Sequence, residues 1–184
     1  EFSCKFVFIG PKTKLAQYRY VRAGGTIVDY DAPIYSVRQQ FDFPRVPGVD
    51  LYHFPHYDVP LTFRRPFVAT IHDVVPLMRR EFASGLVHRQ GVALLARHAV
   101  ARSRRVFVPS RWVADELGQR FPRQASKLVI VPYAPSETLV VPQRAAVNNI
   151  LAKYRIGGHY YLCVSLHKPH KNLEFLLRAF GHIR

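Results

Sequence analysis

The sequence predicts an α/β fold: a parallel, doubly wound sheet with helices on both faces. Three observations carry this. Seven short segments rich in β-branched and aromatic residues recur along the chain, helix-length gaps separate most of them, and their apolar runs are continuous more often than alternating. Strand and helix in alternation is the order of a doubly wound fold.

Taken in order, strands are expected at 6–9, 26–30, 51–54, 67–71, 106–108, 128–131 and 160–164. Helices are expected at 12–22, 34–42, 84–103, 111–121, 145–155 and 172–183. The helix at 84–103 shows no clean amphipathic stripe, and its basic residues read as a solvated face or one that meets anionic lipid. In the helix at 111–121, Trp112, Val113, Leu117 and Phe121 read as core. In the last helix Leu173, Leu176, Leu177 and Phe180 recur at helical spacing. The stretch "PYAPSETLVVPQRAA", 132–146, has three prolines and few helix signals. It divides the chain into an expected partial domain at 1–133, a linker at 134–146 and the first strand–helix unit of a second domain at 147–184. The chain opens directly in a strand-like run and stops inside a helical pattern, so a piece of a longer protein is expected.

With 184 residues, 48% of them apolar, the composition is globular and not disordered. Lys and Arg number 27 against 12 Asp and Glu, a net charge of +15. Residues 64–127 hold 13 basic and 4 acidic residues, so this middle third carries +9. Such a field favours an anionic partner: nucleic acid, an acidic membrane surface or a phosphorylated small molecule. The run "RHAVARSRR", 97–105, comes with no recognition-helix or RNA-binding aromatic pattern. No apolar run is as long as a membrane-spanning helix. Cys4 and Cys163 lie in apolar runs and are expected as buried, reduced thiols. No zinc-type spacing of Cys and His is present.

Three stretches carry candidate chemistry. In "CVSLHKPHKNLEFLLRAF", 163–180, a basic loop leaves an apolar run and enters a helix at once. A helix N-terminus there offers free N–H groups and positive dipole, and Lys168 and Lys171 add full charges. This composes a diphosphate cradle, or else a solvated basic loop. In "TIHDVVP", 70–76, an apolar strand ends in His72 and Asp73. The pair could bond a sugar hydroxyl or move a proton, or could only satisfy nearby backbone. In "DLYHFPHYDVPL", 50–61, His53, His56 and Asp58 follow another strand. They fit no familiar zinc spacing and read as a polar loop beside the same cleft.

These stretches resemble the retaining glycosyltransferases of family four, which have the two-domain GT-B fold. The resemblance rests on Asp50-Leu51-Tyr52-His53-Phe54-Pro55, Thr70-Ile71-His72-Asp73, Val108-Pro109-Ser110, Lys127 to Pro132, and Lys171-Asn172-Leu173 followed by Ala179-Phe180. It covers about residues 30–184. It implies that 1–133 is an acceptor-side Rossmann-like domain and 147–184 the start of a donor-side one. It implies that His72, with Asp73, meets the transferred sugar or the reacting groups, and that His53, His56 and Ser110 line the cleft. Lys171 with Asn172 would hold the donor diphosphate. Ser165 stands where the family usually has glycine, and Lys168 or His170 would replace its frequent arginine. The implied activity is a hexosyltransferase using a nucleotide-sugar donor and a glycan or lipid-linked acceptor, with no metal and no other cofactor. Peripheral contact with an anionic membrane and a cytoplasmic site are further expectations; nucleic acid is not expected as a partner. The family's paired glutamates and its glycine-rich loop find no match here, so the 184 residues alone are expected not to catalyse transfer. A sugar-nucleotide epimerase of the same fold, and a non-catalytic basic module for anionic lipid or nucleic acid, are the alternatives.

Overall fold

The computed structural model describes residues 4–74, 86–135 and 140–182, and for residues 86–89 and 170 the backbone only. It forms two compact units, Glu1–Tyr133 and Ala134–Arg184.

The first unit is α/β with parallel sheets. Strand β1 (Val7–Gly10) pairs in parallel with β2 (Thr26–Asp29), from Val7 opposite Thr26 to Gly10 opposite Asp29. Two short helices join them, α1 (Lys12–Leu15) and α2 (Arg19–Arg22), where a single helix over 12–22 is expected from sequence. The break falls at Tyr18, whose backbone is extended; its ring lies 5.3 Å from that of Tyr20, and Tyr20 lies 5.4 Å from Phe8. The aromatic row takes the place of continued helix. A Cβ at Gly25 would meet the Phe8 ring at 2.3 Å, so any other residue here forces that ring to move.

The larger sheet holds β3 (Tyr52–Phe54), β4 (Phe67–Thr70), β5 (Val106–Val108) and β6 (Leu128–Ile130), parallel and in chain order. Phe54 pairs with Ala69, Thr70 with Phe107, and Val108 with Ile130. The six strands thus form two ladders, and Ile9 of β1 packs on the core of the larger one. Helix α3 (Val37–Asp42) precedes β3 and is capped by Ser36, whose hydroxyl accepts from Gln39 N at 3.1 Å.

Helix α4 (Leu86–Arg102) corrects one expectation. Val92, Leu95, Ala96, Ala99 and Val100 are buried, with Ser103 just beyond the helix. Their spacing is that of one helical face. The stripe escapes a sequence reading because it is largely alanine and valine, while Leu94 sits exposed on another face. Lys127 Nζ donates to Ala101 O at 2.7 Å and Ser103 O at 2.9 Å, closing the carbonyl end of this helix. Helix α5 (Arg111–Arg120) buries Val113 and Leu117, and Phe121 packs partly against the core. Trp112 does not join them: it is 55% exposed, because its position on α5 faces away from the Val113–Leu117 stripe. The 3₁₀ segment Pro122–Lys127 then leads into β6.

Phe63 is the hub of the core. It is fully buried and meets Phe43, Tyr52 and Phe54 edge-on, at centroid distances of 5.7, 4.8 and 5.1 Å.

The second unit holds α6 (Arg144–Lys153), a 3₁₀ turn Pro169–Lys171 and α7 (Leu173–Gly181). The strand expected at 160–164 is not formed. A lone strand has no ladder to join, and no other strand is present among the described residues of this unit. Its apolar residues lie open, Val164 being 88% exposed. Cys163 in this segment and Cys4 ahead of β1 are both exposed free thiols, not buried ones, since neither lies in a paired strand. Among the described residues no helix is long and apolar enough to cross a membrane.

Phe63→Ala is expected to cost about 3–5 kcal/mol of unfolding free energy, read from urea denaturation.

Candidate functional site

Parallel strands all leave the sheet at one edge, so the residues that follow β3, β4, β5 and β6 are brought together by topology alone. Ile71 is fully buried and its N–H still donates to Phe107 O at 2.9 Å. Val131 N donates to Val108 O at 2.8 Å in the same way. The ladder therefore runs one residue past β4 and β6, and His72 is the first residue beyond β4 released from it.

His72 is exposed, and both of its ring nitrogens are engaged. Nε2 lies 2.6 Å from Pro55 O, just after β3. Nδ1 meets the hydroxyl of Tyr133, just after β6. The imidazole thus ties together three strand ends. Its ring centroid is 6.3 Å from that of His56 and 5.7 Å from that of Tyr133. Asp73 is close enough to Tyr57 and Tyr133 to raise the pKa of both phenols, in each case after burial as the larger cause; for Tyr57 a hydrogen bond with Tyr35 adds to it.

His53 Nε2 lies 2.8 Å from Thr70 Oγ1 across the β3–β4 ladder. Burial, and then the nearby His72, hold its pKa below the ordinary histidine value. His56 Nδ1 lies 3.3 Å from Asp58 Oδ1. Asp58 is buried, and Gln39 Nε2 donates to its Oδ2 at 3.0 Å and its carbonyl at 3.1 Å. Burial raises the Asp58 pKa, but the bonds from His56 and Gln39 outweigh it and hold the carboxyl below its ordinary value. Gln39 Oε1 in turn accepts from Tyr35 N at 2.7 Å, holding Tyr35 at a φ of 65°, which a bulky residue rarely adopts. Tyr35 faces His56, ring centroids 6.4 Å apart.

The expected site residues His53, His56, His72 and Asp73 thus gather at one sheet edge. Ser110 follows β5 at the same edge, but its hydroxyl caps α5, accepting from Val113 N at 3.3 Å. Val75 and Pro76, which complete the "TIHDVVP" stretch, lie outside the described residues. Sequence reasoning missed Tyr133, Tyr57, Tyr35 and Gln39. Tyr133 carried a usable signal: it stands just after an expected strand, as His72 does. Gln39 lies in "YSVRQQFDFP", 35–44, which resembles the segment before the family's Asp-x-x-His strand, but nothing in that stretch tells that its side chain meets Asp58. Among the described residues no group of three or more His, Cys, Asp or Glu is arranged to hold a metal ion.

In the second unit, Lys168 precedes the turn Pro169–Lys171, to which His170 contributes its backbone; the His170 side chain lies outside the described residues. Lys171 N donates to Lys168 O at 2.9 Å. Asn172 adopts a left-handed conformation, φ 49° and ψ 40°, and its side chain does not cap α7. Among the described residues no side chain or carbonyl outside the helix takes up the N–H groups of the first turn of α7. Lys168 and Lys171 are exposed beside them, and Ser165 Oγ donates to Leu166 O at 3.2 Å. This loop can bind an anion by the helix terminus and two cations together.

An α/β unit with parallel ladders, and polar side chains convergent at their carboxyl ends, is the architecture of a domain that acts on ligands at a sheet edge. Residues 15–134 match the family described as Glycosyltransferase Family 4, and the chain belongs to that family. It is therefore glycosyltransferase-like. No curated protein matches the sequence. The loop at 165–172 lies beyond the matched stretch.

His53 makes a pH prediction. Its folded pKa is depressed, so the unfolded chain takes the proton more readily. The associated stability is present above the unfolded value, about 6.5, and is lost as pH falls through the folded value. Urea midpoints at pH 7.5 and 5.5 are expected to differ less in His53→Gln than in the wild type.

Proposed function

We propose that this protein is a hexosyltransferase that moves a sugar from a nucleotide-diphosphate donor to a glycan or lipid-linked acceptor with retention. The observation that carries the reading is the convergence of His72, Asp73, His53 and His56 at the carboxyl edge of the four-stranded sheet. His72 and Asp73 serve as the groups that meet the reacting sugar, with His53, His56 and Ser110 lining the cleft. Ser165, Lys168, His170, Lys171 and Asn172 serve as the donor diphosphate site.

The chemistry asks for these groups. Breaking a sugar–diphosphate bond leaves negative charge on the departing phosphate. Fixed cations and helix N–H groups stabilise that charge more in the transition state than in the ground state. The protein's own cations thus serve where another enzyme would use a metal ion, and no cofactor is invoked. Calorimetric titration of GDP, UDP and ADP into the full-length protein tests the reading. One nucleotide is expected to bind, with Lys171→Ala weakening it by at least about tenfold, as loss of one phosphate-bound cation implies. Binding of none of the three would remove the transferase reading.

A second, compatible reading concerns where the protein works. A cleft of about 650 Å³ lies between α4 and the 3₁₀ segment before β6. Arg97, Arg120 and Arg123 border it, and Leu94, Phe121 and Pro122 supply apolar floor. Guanidinium groups over an apolar floor suit an anionic phospholipid, which supports peripheral attachment at the cytoplasmic face of a membrane. Sedimentation is expected to show more binding to anionic than to neutral vesicles, reduced in Arg97→Gln with Arg120→Gln; equal binding to both would sink the reading.

A further inference from the structure

We infer that Tyr133 is a positioning residue for His72, holding its one free lone pair until a substrate hydroxyl takes the same place.

The inference follows from which atoms can donate. Pro55 O is a carbonyl oxygen and can only accept, so the neutral His72 ring must carry its proton on Nε2, 2.6 Å away. Nδ1 is then a lone pair, and the Tyr133 hydroxyl is the donor that meets it. In the imidazolium form Nδ1–H donates to the phenol oxygen instead, and Nε2–H still donates to Pro55. Either protonation state keeps both partners, and only the phenol proton rotates.

The phenol is placed to be displaced. Tyr133 is 63% exposed, so little packing holds its ring. It is the last residue of the first unit, on the segment that leaves β6. His72 is anchored from behind by Ile71, which is fully buried and hydrogen-bonded to Phe107. The ring therefore stays while the phenol can leave. Partial desolvation of the hydroxyl, and after it the nearby Asp73, raise the Tyr133 pKa, which favours the protonated phenol that donates. Among the described residues, His53, His56 and Tyr57 also lie near the ring; His53 faces Thr70, His56 faces Asp58 and stacks near Tyr57, and neither histidine is bonded to His72 Nδ1. A sugar hydroxyl is the chemical equivalent of the phenol: one O–H to donate and an oxygen to accept.

This rests on the reading of His72 as the residue that meets the sugar, but its test needs no donor or acceptor. The full-length protein, labelled with ¹⁵N, is examined near pH 8 by long-range ¹H–¹⁵N correlation of the His72 ring. The Nε2–H tautomer is expected, with an Nδ1 resonance shifted by a donated hydrogen bond. In Tyr133→Phe the tautomer is expected to persist while Nδ1 moves to the position of an unbonded lone pair. Diethyl pyrocarbonate gives a second readout: the Nδ1 lone pair attacks its carbonyl carbon and expels ethyl carbonate, the ring releases its Nε2 proton, and with that proton ethyl carbonate breaks down to ethanol and carbon dioxide. Peptide mapping is expected to show His72 modified about fivefold faster in Tyr133→Phe, the factor that one ordinary hydrogen bond represents. A wild-type ring protonated on Nδ1, or an Nδ1 resonance and modification rate unchanged in Tyr133→Phe, would overturn the proposal. The wild-type spectrum alone can do so, even if the variant does not fold. Loss of transfer in His72→Ala addresses the reading of the reaction separately, so either can fail without the other.

Discussion

The ladder from β3 to β6 is the constraint on which the rest depends. Parallel strands in register must all end at the same edge, whatever the loops contain. Here the ladder extends past the strands through Ile71 and Val131, so the first free residues are His72 and those around Pro132 and Tyr133. Fully buried apolar side chains on the strands, Phe67, Ala69, Val106 and Val108, fix the register. The polar groups beyond them need no long-range guidance to meet. Chemistry at this edge is a consequence of packing behind it.

The aromatic cluster around Phe63 and the stripe on α4 build one core, joined at Phe67, whose ring lies 6.1 Å from that of Phe63 and 6.5 Å from that of His98 on α4. Neither is visible in the same way in the sequence. Phe43, Tyr52, Phe54, Phe63 and Phe67 are conspicuous as aromatic residues, but their edge-on arrangement requires the fold. The α4 stripe is nearly silent, since alanine contributes little to a hydrophobic pattern yet is what allows a helix to lie close against a sheet. Trp112 errs in the other direction: the largest apolar side chain of its helix is on the wrong face to be core. Size and hydropathy indicate burial only after the phase of the helix is known.

The legible part of the fold was the part set by local runs. Six of the seven expected strands form, close to their expected bounds, because each is a short apolar run with a neighbour to pair with. The seventh, at 160–164, has the same composition and no neighbour among the described residues. A strand is a property of a pair. The site divides likewise. His56, His72 and Asp73 could be read from their positions after apolar runs; His53, expected after a strand, lies inside β3 and faces Thr70 across the ladder. Gln39 and Tyr35 could not, because they reach Asp58 and His56 from a helix and a left-handed turn that only tertiary structure brings near. Tyr133 stood in the right place after its strand, but a tyrosine there announces no function until the partner of its hydroxyl is seen.

The order of the larger sheet also shapes how the unit is made. Neighbours in the ladder are neighbours in the chain, β3 beside β4, β4 beside β5 and β5 beside β6. During synthesis each strand emerges to find its template already laid down, so the sheet can grow at one edge without waiting for a distant segment. In a chain made from its N-terminus β6 is the last strand of this ladder to become available. The Pro55 carbonyl is thus within reach of His72 before Tyr133 has been made. Until Tyr133, the last residue of the unit, has been translated, that ring keeps an open nitrogen: the contact that completes it comes from the very end of the unit.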